Sequence, residues 1–118
     1  MSVLDKSEKI VVDGKDYELK YTLKTIPQFE RQLTGHSLMA MCTAAASGGL
    51  TVEDTITMLK WGLIGGGCFD KKQFDDFLNK AIEDNGLNGL QESIINALTK
   101  SGLVKTRKNV MAPEAVQK

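Results

Sequence analysis

The stretch from residue 9 to residue 23 decides the fold class of this chain; it reads Lys-Ile-Val-Val-Asp-Gly-Lys-Asp-Tyr-Glu-Leu-Lys-Tyr-Thr-Leu. Asp13-Gly14 is a dipeptide that accepts positive φ in a tight turn, and a β-branched run precedes it. After the turn, apolar residues alternate with polar ones and so share one face of a strand; they are Tyr17, Leu19, Tyr21 and Leu23. The stretch predicts a β-hairpin whose apolar face packs on other elements, because an isolated hairpin is only marginally stable in water.

The rest of the chain supplies helices for that face. Capping residues begin each apolar pattern of helical spacing, and glycines follow it. The predicted starts are Thr25, Ser37, Thr51, Asp70 and Asn88, and the predicted stops are Gly35, Gly48, 65–67, Gly86 and Gly102. We therefore predict an α+β fold, mostly α, with an N-terminal hairpin packed on about five short helices.

The length of 118 residues predicts one domain, because two halves of about 60 residues would each be marginal for burying a core. The helical pattern ends near Val104. We expect residues 1–104 to form a single helical domain with the hairpin at its start. Residues 105–118 are expected to be a flexible tail, because they offer too little apolar surface to offset the entropy of ordering them.

Charge and hydropathy disfavour two classes of partner. Fifteen Lys and Arg balance fifteen Asp and Glu, whereas nucleic-acid-binding proteins usually carry a basic excess. The basic cluster Lys105, Arg107 and Lys108 is a weak signal in a neutral chain. No apolar run approaches the ~18 residues of a membrane span, and the N-terminus lacks the apolar segment of a secretory signal. We expect neither a membrane nor a nucleic acid as partner, and the cytoplasm as the compartment.

The sequence carries no catalytic motif, so we expect no enzyme activity and no cofactor. A metal site is also not expected, because zinc needs about four ligands and the candidates are Cys42, Cys68 and His36. The glycines at 65–67 follow a predicted helix, whereas a phosphate loop needs a preceding strand and a Lys-Ser/Thr pair. We interpret these glycines as a flexible joint between helices.

Methionine and aromatic side chains are more numerous than the interior of so small a fold requires. Methionine is flexible and suits apolar partners of variable shape. We predict that part of a set in the second, third and fourth helices is exposed and binds partner helices or another copy of the chain; the alternative, that all six residues fill the core, stays open. The set is Met39, Met41, Trp61, Phe69, Phe74 and Phe77.

Two further stretches, taken with the hairpin, resemble a known family. Residues 29–35 read F-E-R-Q-L-T-G, and a helix that begins T-V-E-D at Thr51 ends in W-G-L-I-G-G-G. Over roughly residues 9–104, this order of elements resembles the small tail assembly chaperones of long-tailed bacteriophages and prophages of Gram-positive hosts.

The resemblance implies a function in the host bacterial cytoplasm. Such chaperones bind the tape measure protein, a long helical polypeptide that sets tail length and would otherwise aggregate through its apolar faces. Tail tube subunits displace the chaperone, which is absent from the mature virion. In many such phages a ribosomal frameshift makes a longer form with an added domain that recruits tube subunits, and the segment from Lys105 onward suits its attachment.

Two other classes of function remain open from the sequence. One is a small structural tail or connector protein of the virion, which would be recovered in purified particles. The other, less favoured, is a helical nucleic-acid-binding regulator. Such a regulator needs an outward helix rich in Arg, Lys, Asn or Gln, and no predicted helix has that character.

Overall fold

The computed structural model describes residues 6–104, in which a two-stranded hairpin packs against helices. This confirms the predicted α+β, mostly α, fold. The predicted tail at 105–118 lies outside the described residues. The elements in chain order are β1 (Ser7–Val12), β2 (Lys15–Lys20), α1 (Ile26–Phe29), α2 (Leu38–Ala46), α3 (Val52–Gly66) and α4 (Phe74–Ser101), with 3₁₀ turns at Glu30–Gln32 and Lys71–Gln73.

The hairpin forms at the predicted dipeptide. Val12 pairs with Lys15 across a two-residue turn, and both turn residues have positive φ, 54° at Asp13 and 77° at Gly14. This is the requirement of a type I′ turn, whose twist matches that of the strands. The expectation for Leu23 was wrong: β2 ends at Lys20, the buried alternation continues only to Tyr21, and Leu23 is 74% exposed.

Side-chain caps begin α2 and α3, as predicted. The Ser37 Oγ accepts a hydrogen bond from the backbone N–H of Ala40 at 3.1 Å, and the Thr51 Oγ1 accepts one from Asp54 at 3.0 Å. These bonds satisfy N–H groups that have no partner inside the helix. Thr25 occupies the predicted N-cap position of α1, but its side chain makes no capping bond, because the hydroxyl donates to the carbonyl oxygen of Thr22 in the preceding turn.

The predicted fourth and fifth helices are both present, and they follow one another within α4 across a kink. The junction is Gly86, with φ 75° and ψ 156°. Glycine is essentially the only residue that adopts this conformation. Gly86 therefore divides α4 into two arms, 74–85 and 87–101, at the residue where the sequence predicted a stop.

The core lies between the apolar face of the hairpin, α3 and the second arm of α4. Side chains from each of these elements are almost completely buried, and α1 adds one aromatic ring. The largest side chains of the core are Tyr21, Phe29, Leu19, Leu33, Met58, Leu59, Leu63, Leu90, Ile94 and Leu98.

Candidate functional site

The six predicted contact residues do not form one surface. Met41 lies in the core and is 3% exposed, whereas Met39, also on α2, is 59% exposed. Trp61 is half-buried on α3, where it stacks on Phe29 with ring centroids 5.4 Å apart and donates its indole N–H to Gln32 at 3.4 Å. Among Met39, Met41 and Trp61, Met39 is therefore the most exposed to solvent.

The three predicted phenylalanines lie together at the start of α4. Phe74 contacts both of the others, with ring centroids 5.4 Å from Phe69 and 6.2 Å from Phe77. Tyr17 of β2 meets Phe77 edge-on at 4.8 Å. We call these four half-buried residues the aromatic cluster. Sequence reasoning missed Tyr17 as a member, because strand alternation assigns it to a face without indicating which helix covers that face.

An open groove of about 540 Å³ lies beside the aromatic cluster. Tyr17 and Phe77 give it an apolar wall, and its rim carries charges of both signs, including Lys15, Asp76 and Lys80. A smaller cavity of about 40 Å³ shares Tyr17 and Phe77 with the groove. A groove with one apolar wall and a charged rim can contact an amphipathic segment of a partner.

The glycines near the end of α3 bring it against β2. A Cβ on Gly65 would collide with the carbonyl oxygen of Lys20, and one on Gly66 with that of Glu18. The interpretation of 65–67 as a flexible joint is therefore wrong for the first two, which lie inside the helix in close contact with the strand. Gly67 ends the helix in the left-handed conformation, with φ 77°.

Tyr21 lies against the same glycine-lined side of α3. A Cβ on Gly62 would approach the Tyr21 hydroxyl to 2.6 Å. That hydroxyl donates a 2.6 Å hydrogen bond to the carbonyl oxygen of Met58. Complete burial raises the pKa of Tyr21 far above its usual value, because the phenolate would lose its hydration there.

Both outer edges of the hairpin are in contact with helices. The carbonyl groups of β2 face the α3 glycines, as described above. On β1, the side-chain amide of Asn85 donates to the carbonyl oxygen of Val11 at 3.1 Å, and Lys100 donates to that of Ser7 at 3.3 Å. Asp84 accepts the backbone N–H of Asp13 at 2.6 Å and so holds the turn against α4. Edge carbonyl groups on both strands therefore face helices.

Metal ligands and thiols are sparse among the described residues. Residues 6–104 contain no group of three or more His, Cys, Asp or Glu that could hold a metal ion. Cys42 and Cys68 are free thiols, and burial raises the pKa of Cys42. In the same range, every helix is too short or too polar to cross a membrane.

Comparison with known proteins gives the family. The model of a family described as phage tail tube protein, GTA-gp10, matches residues 7–103, which include the hairpin and all four helices. The chain belongs to this family. It is therefore a phage tail-related protein, in agreement with the tail context that the resemblance implied. No curated protein and no solved structure matches the chain.

In this phage tail protein, the two stretches that carried the resemblance contact each other. The backbone N–H and the hydroxyl of Thr34 each donate a 2.9 Å hydrogen bond to the carboxylate of Asp54, which is 4% exposed. Glu30 accepts the backbone N–H of Leu38 at 2.8 Å and so fixes the start of α2. The acidic and hydroxyl residues of both stretches therefore position helices.

Proposed function

We propose that this phage tail protein is a tail assembly chaperone that binds and solubilises the tape measure protein. Membership of a tail family supports the setting. The observation that carries the choice of role is the covered hairpin. A tube subunit polymerises through a contact repeated between copies, and an open strand edge is a ready template for such pairing. In this chain, α3 or α4 would have to move before strands from two copies could pair.

Exposed apolar side chains support a role in binding helices. Met39 is 59% exposed, and the aromatic cluster borders an open groove. An amphipathic helix that lacks a partner can cover its apolar face on such a surface. We propose that the protein acts by binding alone, without catalysis and without a cofactor.

Release is part of the proposed function. Tail tube subunits would displace the chaperone as they polymerise around the tape measure protein in the host cytoplasm. Displacement requires weak single contacts, so an excess of chaperone over binding segments would keep the long chain covered by mass action. A longer frameshifted form would add the segment that recruits tube subunits. The finished particle would then contain no chaperone.

Co-expression tests the binding step. The chain is produced together with the product of the neighbouring long, helix-rich reading frame, and an unrelated small soluble protein replaces it in the control. We expect the long product to become soluble and to co-purify with the chain, but not with the control protein. Aggregation of the long product in both cultures would overturn the proposal.

A small structural tail protein is the second candidate, and the description of the family as a tail tube protein favours it. Such a protein would remain in the particle through contacts between copies, whereas a chaperone would leave. The content of purified particles separates the two. The nucleic-acid-binding regulator is not proposed, because the matching family describes a tail protein.

A further inference from the structure

The longest stretch of the chain without Lys, Arg, Asp or Glu runs from residue 32 to residue 52. Charged residues make up 25% of the chain, so such a run is unusual for this protein. It contains all of α2 and both connections that flank this helix. A stretch this poor in charge is expected to be buried, yet many of its residues are exposed.

The exposed part forms one side of α2. Leu38 and Met41 turn towards the core, whereas the opposite side carries exposed residues at positions 39, 43 and 46. Positions i, i+4 and i+7 lie on one face of a helix, and exposed Ala40 lies beside them. The α2 face is accordingly defined as Met39, Ala40, Thr43 and Ala46.

The composition of the α2 face differs from that of an ordinary solvent-exposed helix. Exposed helix faces normally carry charged residues. The central area of a protein interface is instead depleted in charge and enriched in methionine. Small side chains around one long methionine also allow a second helix to approach closely. The chemistry that fits this face is the apolar side of another α-helix.

We infer that the α2 face receives successive apolar helix segments of one long partner; this rests on the proposed function, in which that partner is the tape measure protein. With no charge on the face, the partner needs no particular pattern of charges to bind it. One face can therefore bind segments that differ in sequence. A binder that covers a long, non-uniform chain needs this tolerance.

The size of the α2 face favours a long partner over a second copy of the chain. Nine residues of helix are about 14 Å long and about 10 Å wide. One helix laid across them buries on the order of 300 Å² in total, far below the roughly 1,200–2,000 Å² of a stable pair. A dimer held by this face alone would dissociate. A contact this weak suits a partner that the protein must release, and an excess of copies would keep a long polypeptide covered by mass action.

The test introduces charge on the face without weakening the helix. Met39→Glu combined with Thr43→Lys keeps the net charge and adds an i,i+4 Glu–Lys pair, which supports helices. Leu23→Glu is the control, because Leu23 is more exposed than Met39 but lies outside α2. Each variant is co-expressed with the product of the neighbouring long, helix-rich reading frame. Circular dichroism and the thermal midpoint of each purified variant show whether it is folded.

We expect the double variant to fold normally and to recover at least about tenfold less soluble tape measure protein, a change of 1.4 kcal/mol in binding. Leu23→Glu should match the unaltered chain. If the double variant fails to fold, Met39→Gln, which keeps the length of the side chain, must show a loss in the same direction.

Three results would overturn the inference. Full recovery of soluble tape measure protein by the folded double variant would show that the α2 face is not its binding site. The proposed function would still stand. Failure of the unaltered chain to solubilise the tape measure protein would remove the proposed function, and the inference with it. If the unaltered chain sediments as a dimer and the double variant as a monomer, the α2 face binds a second copy of the chain.

Discussion

At the scale of single residues, Gly65 shows how the absence of a side chain sets the spacing between a helix and a strand. Its missing Cβ leaves room for the carbonyl oxygen of Lys20. From the sequence, three consecutive glycines indicate freedom of the backbone, and we interpreted them as a joint. The sequence could not show what lies against them, because the packing of α3 on β2 depends on contacts far apart along the chain.

Gly65→Ala should destabilise the protein by about 1–3 kcal/mol, because the added methyl group collides with backbone that cannot turn away. Gly89→Ala is the matched control in α4, where the nearest atom, the Asn85 Cβ, would lie at an ordinary 3.6 Å. That change should be neutral or stabilise by up to about 1 kcal/mol, through helix propensity. Urea denaturation measures both, and equal stabilities would contradict the close packing described for Gly65.

Because of Tyr21, the stability of the fold should depend on pH in the alkaline range. Burial raises its pKa in the folded chain above the usual value of about 10. The contribution of the neutral phenol is therefore complete below pH 10. It is lost as the pH rises further, because only the unfolded chain then releases the proton. The slope for one proton is about 1.4 kcal/mol per pH unit.

Comparison with Tyr21→Phe isolates this effect. Below about pH 9, the variant should be about 1 kcal/mol less stable, because the hydrogen bond to Met58 is missing. Above about pH 10, the difference between the two chains should shrink and then change sign. Tyr17→Phe keeps Tyr21 and should retain the alkaline loss of stability. A constant difference from pH 7 to pH 11 in urea denaturation would refute the role of Tyr21.

At the scale of elements, local signals were sufficient where one short stretch determines the geometry. Asp13-Gly14 forms the turn, and the hydroxyls of Ser37 and Thr51 begin helices, because each acts on neighbouring backbone. Thr25 failed as a cap, since its hydroxyl had a competing partner in Thr22. The covering of the hairpin edges could not be predicted, because it joins residues far apart along the chain, such as Lys20 with Gly65 and Val11 with Asn85.

The contact between Thr34 and Asp54 links the turn before α2 to the start of α3. Asp54→Ala should cost about 1–3 kcal/mol, because it removes the buried carboxylate that accepts two hydrogen bonds from Thr34. Thr34→Val removes one donor and should cost about 1 kcal/mol. Because the residues share a bond, the double variant should lose less than the sum of the two changes. Strict additivity in thermal or urea unfolding would show that the pair is not coupled.

At the scale of the whole molecule, the sequence predicted the fold better than the surface. Helical spacing identified apolar faces, but it could not rank them by burial, because the core is formed by whichever faces meet. Met41 is therefore buried, while Met39 is exposed on the same helix. The three phenylalanines meet only because the connection after α3 returns the chain to β2, where Tyr17 completes the cluster.

The family match identifies a phage tail-related protein, and the covered hairpin supports our proposal that this protein assists tail assembly and then leaves. The direct measurement is quantitative mass spectrometry of two samples from one infection or induction. One sample is the purified finished particles. The other is the tape measure protein isolated from cells in which synthesis of the tail tube subunit is blocked.

We expect many copies of the chain on each tape measure protein in the blocked cells and a trace at most in finished particles. Copies in finished particles at a fixed ratio to the tail tube subunit, with none on the isolated tape measure protein, would contradict it and identify the chain as a structural part of the tail.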